Sequence, residues 1–198
     1  MDATDWDARY AATAELEWGA APNRWVAAEL ADLPPGRACD LAAGEGRNAL
    51  WLASRGWDVT AVDFSGAALG KGRPLAEERS LPVTWVQADV RRYAVEARAY
   101  DAVILAYLHL YDAERRAVLR AAAEGLAPGG VLVVVGHDTT NLTEGVGGPK
   151  EAAVLFTPDD VVADLTGLDG LVVERAERVR RTVADAEAID ALVRVRRG

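Results

Sequence analysis

Apolar and polar positions follow two rhythms along this chain. Short β-branched runs alternate with stretches of helical period, the pattern that βαβ units give when a parallel sheet is covered on both faces. "RACDL" (37–41) reads as a first strand and "RNALWLASRG" (47–56) as a helix ended by Gly56, where a left-handed residue is needed. "WDVTAVDF" (57–64) is a second strand. Ser65 is placed to cap the next helix, but Gly66, Gly70, Gly72 and Pro74 weaken it, Pro alone costing about 3 kcal/mol in a helix interior. A short helix, or one kinked near Gly70, is predicted.

"VTWVQADV" (83–90) and "YDAVILAYL" (100–108) give a third and fourth strand, "DAERRAVLRAAAEGL" (112–126) a helix, and "GGVLVVVG" (129–136) a fifth strand after the turn "APGG". "LVVERAERVRR" and "EAIDALVRVRR" each alternate apolar with polar, as strands with one solvated face do, and the tight "VADA" between them predicts an antiparallel edge hairpin. Two regions stand outside this scheme. One is the aromatic N-terminal segment with Trp6, Tyr10, Trp18 and Trp25, predicted helical. The other is the irregular stretch from Asp138 to Pro158, and long irregular segments inside a compact domain are usually functional or disordered.

Composition narrows the class. The 198 residues, 51% apolar and 27% charged, fit one α/β domain, and a net charge of -9 disfavours a protein that grips nucleic-acid phosphates. The lone cysteine, Cys39, lies in an apolar strand and reads as a small buried filler. The charged N-terminus lacks a signal-peptide pattern and no apolar run approaches the ~18 residues that span a bilayer, so a cytoplasmic protein with no membrane partner is expected. No Cys/His cluster has metal-ligand spacing, and no structural metal is expected.

In an open parallel sheet the ligand sits beyond the carboxyl ends of the strands, near the point where strand order reverses. Those ends carry Asp40 and then Ala42-Ala43-Gly44-Glu45-Gly46, Asp63, Asp89, and Ala106 to His109. Three carboxylates should therefore line one crevice. Gly44-Glu45-Gly46-Arg47-Asn48-Ala49 fits the dinucleotide pattern G-x-G-x-x-A, with Asp63 as the ribose acid, which is one reading. Against it, Asp40 would face a pyrophosphate, and like charges ~4 Å apart repel by several kcal/mol at an effective dielectric near 20. The other reading is S-adenosyl-L-methionine, which carries an ammonium and a sulfonium, has no phosphate, and presents a ribose diol and an adenine. Gly44 and Gly46 then let the backbone approach the methionine and sugar. Asp40 helps hold the cationic amino-acid portion, Asp63 accepts from the ribose hydroxyls and Asp89 from the adenine amino group, while Phe64 and Val90 contact the ring faces. Asn48 either contributes to this loop or caps the helix it opens.

"CDLAAGEGRNALWLASRGWDVTAVDFS", "VQADV", "YDAVILAYLHL" and "LAPGGVLVVVGHD", with "WDARY" and "WGAAPN" ahead of them, resemble the class I S-adenosylmethionine-dependent methyltransferases, and within them the thiopurine and tellurite-resistance group. The resemblance covers nearly the whole chain. It implies a Rossmann-like, doubly wound, mostly parallel seven-stranded sheet ending in an antiparallel pair, with residues 1–33 as a helical segment capping the cofactor and 34–198 as the core. Ala42 stands where the family has its first motif glycine, and Ala43 where it usually has a cysteine. A methyl group at Ala42 fits if φ stays negative there.

Methyl transfer needs a nucleophile aligned behind the sulfonium methyl and water kept out. A single domain points to a compact acceptor, and the resemblance favours a thiol or other soft nucleophile. Tyr107, His109 and His137, at the ends of the fourth and fifth strands, are the candidate catalytic residues. Either histidine could serve as a base near neutral pH or simply pack. The rivals are an NAD(P)-dependent oxidoreductase and a methyltransferase-like binding module without activity.

Overall fold

Strand β1 (Arg37–Leu41) is flanked on one side by β2 (Asp58–Asp63) and β3 (Val83–Gln87), and on the other by β4 (Tyr100–Ala106) and β5 (Leu126–His137). In this computed structural model, which describes residues 3–198, these parallel strands join an antiparallel hairpin, β6 (Leu171–Val183) and β7 (Ala186–Arg197). Among the described residues the sheet has seven strands in the order β3-β2-β1-β4-β5-β7-β6, so strand order reverses between β1 and β4. The α/β class, the strand sequence and the edge hairpin are as the pattern predicts. β6 carries the free edge, and β7 sits between it and β5.

Alternation sends odd and even positions of each strand into two cores. Cys39, Leu41, Val103, Leu105, Leu132 and Val134 pack on one face; Ala38, Ala102, Ile104, Val131, Val133 and Val135 pack on the other. The first face is covered by α5 (Asp112–Glu124) and α7 (Pro158–Leu165) through Leu119, Val161 and Leu165. The second is covered by α2 (Arg24–Leu30) and α3 (Arg47–Ser54) through Val26, Leu30, Ala49 and Leu52. Gly56 takes φ +89 just past α3, as its helix-ending place requires.

Some elements differ from their sequence expectations. α4 (Gly66–Glu78) is neither short nor broken near Gly70; it runs 13 residues with Pro74 inside. Ser65 caps it by accepting from the Ala68 N–H at 3.1 Å. Gly72 explains why the sequence tolerates a poor helix here: a Cβ would lie 2.5 Å from the Trp85 ring and 2.6 Å from the Glu45 carbonyl, so α4 approaches the sheet closely. β3 stops at Gln87 rather than Val90, and β4 at Ala106, because Tyr107 turns to φ +58. Leu126 already pairs with Tyr100, so "APGG" loops out within β5 before Val131 pairs with Ala102.

The N-terminal segment forms α1 (Ala3–Ala11) and α2. The Asp138–Pro158 stretch holds a short helix α6 (Asn141–Glu144) and a 3-10 turn (Ala152–Val154), and ends where Thr157 caps α7 reciprocally with Asp160. No helix among the described residues is long and apolar enough to cross a membrane.

Candidate functional site

Strand phase builds the site. The face that buries Ala61 and Ile104 also receives Asp40, whose register partners they are. On that face, in the same alternation, lie Asp63 two residues beyond Ala61, Ala106 beyond Ile104 and His137 beyond Val135. Asp190 pairs directly with His137 on one side and Val179 on the other, so it shares the face too. Side chains from five strands thus converge at the carboxyl ends of β1, β2, β4 and β5, where strand order reverses.

Asp40 is fully buried, and neither carboxylate oxygen has a hydrogen-bond partner among the described residues. Burial first, and the nearby Asp63 charge second, push its pKa up to about 7; Arg47 and the nearby Ala49 backbone N–H, which falls outside hydrogen-bond geometry, oppose them. Asp63 is tied down instead: Oδ2 accepts from the Gly44 N–H and Oδ1 from the Ser65 N–H, both at 2.8 Å. Burial still raises its pKa, against those two donors. The Asp89 carboxylate is taken up by Arg91, with the Arg91 backbone N–H at 3.0 Å and its guanidinium at 2.7 Å, which holds the pKa below the usual range.

The loop after β1 departs from one expectation. Ala42 takes φ +61, so its methyl group sits in the left-handed region and the condition of a negative φ is not met. Such a residue pays about 1–2 kcal/mol in backbone strain. At Gly46 (φ +79) a Cβ would lie 2.3 Å from the Trp85 ring, so glycine there permits close packing of α3 against β3. At Gly44 (φ +57) a Cβ would meet the Tyr10 hydroxyl at 2.9 Å, which sets α1 directly over the loop.

The N-terminal segment is fastened by polar contacts. Ser65 donates its hydroxyl to Asp7 at 2.5 Å, and Asp7 also accepts from the Ala67 N–H at the start of α4. Asn48 does not cap its own helix; its Oδ1 accepts from the Asn23 N–H at 2.8 Å, and Asn23 in turn caps α2. Glu45 is buried with one oxygen on Lys71 at 3.0 Å and on the Glu17 N–H at 3.1 Å. Tyr10 is buried and stacks on Trp6 at 5.5 Å, while Trp18 is 46% exposed and donates to the Tyr10 hydroxyl at 3.4 Å. Phe64 and Val90 are half-buried, Val90 against the core.

The second half of the site surrounds Tyr107. Its hydroxyl donates to Asp190 Oδ2 at 2.8 Å, and Arg181 donates to both the hydroxyl (2.9 Å) and that same oxygen (2.8 Å). The Trp25 indole N–H adds a donor to Asp190 at 3.3 Å. Of the two alternatives for His109, base or packed side chain, its surroundings match the second. Its Nε2 accepts from the His137 backbone N–H at 3.1 Å, and burial, then His137, bring its pKa down to about 3. That nitrogen has no lone pair to offer. His137 stacks on His109 with centroids 5.5 Å apart and faces Asp190 through Nδ1. Its pKa is lowered by burial, with Asp190 pulling the other way.

Arg47 joins the two halves: its charge is felt by Tyr107 and Asp40, and it donates to the Trp18 carbonyl at 3.3 Å. Asp190, Arg181 and Arg47 were not singled out from sequence. The signal for Asp190 was there, a charge at the buried phase of "AIDAL", between Ala188 and Leu192. Cys39 is buried among apolar neighbours, and its thiol is pushed up to about 12 by burial first.

Residues 38–130 match a family model described as "Methyltransferase domain". The demethylmenaquinone methyltransferase of Thermus thermophilus is 37% identical over 125 residues, a match covering 62% of this chain and 54% of that protein. The chain thus spans about half the length of that relative. Among solved structures, one described under the conversion of a disulfide bond into a thioacetal group during echinomycin biosynthesis superposes with a TM-score of 0.77 at 23% identity, covering 98% of this chain and 91% of that one. The N-methyltransferase NodS from Bradyrhizobium japonicum WM9, in complex with S-adenosyl-L-homocysteine, gives 0.65 at 21% identity over 88% and 84%. Both share this fold.

Proposed function

We propose that this chain is a class I S-adenosyl-L-methionine-dependent methyltransferase of the thiopurine and tellurite-resistance type, transferring a methyl group to a small molecule at a soft nucleophile such as a thiol. The observation that carries the reading is Asp40. A fully buried carboxylate with neither oxygen bonded is expensive to keep, and a cationic ligand lowers that expense where a pyrophosphate would raise it. The methyltransferase-domain match runs over β1 to the "APGG" loop and so includes Asp40, Asp63 and Asp89.

When bound, S-adenosylmethionine supplies an electrophilic sulfonium methyl. Toward it, Asp40 balances the positive charge of the amino-acid portion, and the Gly44 backbone, held by Asp63 beneath the Tyr10 hydroxyl, borders it at the Ala42–Gly44 turn. Asp63 keeps lone pairs for the ribose diol after its two backbone bonds. Asp89 receives the adenine amino group when Arg91 yields one contact, a small expense for an exposed pair. Phe64 and Val90 flank the ring, and α1 closes over it through Tyr10 and Trp6. Ala106 and Tyr107 border the methyl.

A sulfur acceptor is supported by the sequence resemblance and by the sulfur chemistry named for one of the structural neighbours. Isothermal titration with S-adenosylhomocysteine and, separately, NAD tests the reading. Micromolar affinity for the first and none for NAD is expected. Affinity for NAD alone makes the chain an oxidoreductase, and affinity for neither makes it an inactive binding module.

A further inference from the structure

Two buried polar atoms without hydrogen-bond partners among the described residues face each other in this molecule. His137 Nδ1 and Asp190 Oδ1 lie 3.5 Å apart, the imidazole 9% exposed and the carboxylate not at all. Both sit on the site face of the sheet, on directly paired residues of β5 and β7. The other Asp190 oxygen is held from three sides, by Tyr107, Arg181 and Trp25. The carboxylate therefore has one orientation available, and it aims Oδ1 at the ring.

The ring is equally constrained. His109 stacks on it, Tyr107 packs at 5.1 Å, and a Cβ on Gly148 would lie 2.6 Å from it, so the loop after α6 closes over the imidazole. Asn141 anchors that loop by accepting from the Ile189 N–H at 2.7 Å, beside Asp190. Tyr107 holds φ +58 with its N–H on the Val135 carbonyl at 2.7 Å, a strained backbone for a bulky residue. With Nδ1 turned to Asp190, Nε2 is the ring atom left without a bond among the described residues.

We propose that Asp190 is a positioning residue that fixes His137 as the Nδ1–H tautomer, so that Nε2 takes the proton of an acceptor that arrives protonated, such as an alkyl thiol. This rests on the methyltransferase reading above. In the step, the S–H proton passes to His137 Nε2, the sulfur lone pair forms the new C–S bond, and the electron pair of the broken C–S⁺ bond stays on the departing neutral thioether. The proton then leaves His137 to solvent. The groups facing His137 are Asp190 on β7, Arg181 on β6, Tyr107 and His109 after β4, and Lys150 from the loop. Burial, with the two cations, keeps the ring neutral and able to accept.

The chain has only two histidines, which makes the test direct. Two-dimensional NMR of ¹⁵N-histidine protein at pH 7.5 reads the tautomer of each ring without turnover. His137 is expected as Nδ1–H, with that preference lost in Asp190→Asn and restored in Asp190→Glu. The charge-balanced pair Asp190→Asn/Arg181→Gln covers the case in which the single variant misfolds. An Nε2–H tautomer in the wild type overturns the proposal.

Rates with two probes separate base from scaffold. His137→Gln should slow methylation of 2-mercaptoethanol ~100-fold or more, the size of general-base effects. Thiophenol, largely ionised at that pH, should slow less than about 5-fold under the same reasoning. Equal losses overturn the base role. Failure of the wild type to bind S-adenosylhomocysteine overturns the methyltransferase reading instead, and leaves the tautomer result standing.

Discussion

Asp63 Oδ2 accepts the Gly44 backbone N–H at 2.8 Å, so the end of the second strand holds the shape of the loop after the first. Its other oxygen holds the Ser65 N–H, which starts the helix that follows. One side chain thus aligns two backbone segments before any ligand is present. Asp63→Asn keeps the shape but turns an N–H₂ group on one of these donors. The expected result is a loss of roughly 1–3 kcal/mol of stability in denaturant melts. Affinity for S-adenosylhomocysteine should fall at least ~10-fold, the equivalent of about 1.4 kcal/mol. An unchanged affinity would remove Asp63 from the ribose contact.

Asp40 links stability to pH. Its pKa is raised to about 7 in the fold, from 3.8. The sign follows: the native state binds this proton more tightly than the unfolded chain, so the stability tied to it is fully present below about 4 and is lost as pH rises through about 7. Melting temperatures of the ligand-free protein at pH 5 and 7.5 read this loss directly. Asp40→Asn should flatten the difference and melt ~3 °C or more above wild type at pH 7.5, since about 1 kcal/mol shifts a chain of this size by 2–4 °C. The same variant should lose affinity for the cationic methyl donor, because the charge that destabilises the empty site is the one that receives it.

Ala42 bears a strain that glycine would not. At φ +61 the methyl group opposes the turn, worth about 1–2 kcal/mol, and glycine would return part of that gain through a freer unfolded chain, about 0.4–1 kcal/mol. Ala42→Gly should therefore raise the melting temperature by ~1–3 °C. Because the loop conformation does not change, S-adenosylhomocysteine affinity should move less than about 3-fold, under 0.7 kcal/mol. A lower melting temperature would mean that the Ala42 methyl makes packing contacts that outweigh the strain.

Much of this molecule could be read from period and punctuation, and the exceptions share a cause. The strands, their order of appearance, the Ser65 cap and the edge hairpin are local features, set by alternation and turn residues. The length of α4 is hidden because Gly72 and Pro74 look like breakers in isolation; only the Trp85 ring beneath Gly72 shows why a residue without a side chain is needed there, while Pro74 is exposed. The packing role of Gly46 is hidden for the same reason, its neighbour being 39 residues away in the chain. Among the candidate site residues, the acids at the strand ends were legible because a charge ending an apolar run is conspicuous. Asp190 was hidden inside an alternating strand, and its partners Tyr107 and His137 come together only through sheet register. His109 showed no sign in sequence of the backbone N–H that occupies its Nε2.

Asn48 gives the last expectation. Its side-chain carbonyl accepts the Asn23 N–H at 2.8 Å, and Asn23 caps α2 through the Trp25 and Val26 N–H groups. One tie of the N-terminal segment to the core is therefore an amide reaching across from α3. Asn48→Ala leaves the buried Asn23 N–H without an acceptor, which costs about 1–3 kcal/mol locally. The effect should stay in the segment, since α3 keeps its backbone bonds and its apolar contacts through Ala49 and Leu52. Hydrogen exchange of α2 should then speed up ~5-fold or more while β1 and β4 exchange as in wild type, with 1 kcal/mol corresponding to about a factor of 5. Trypsin should also cut sooner at Arg24, just inside α2. Saturating S-adenosylhomocysteine should restore protection if residues 1–33 close over the cofactor, because the ligand then stabilises the docked segment by mass action. Protection restored equally in α2 and in the core, with no excess in the segment, would instead make the N-terminal helices a fixed part of the fold that the ligand does not touch.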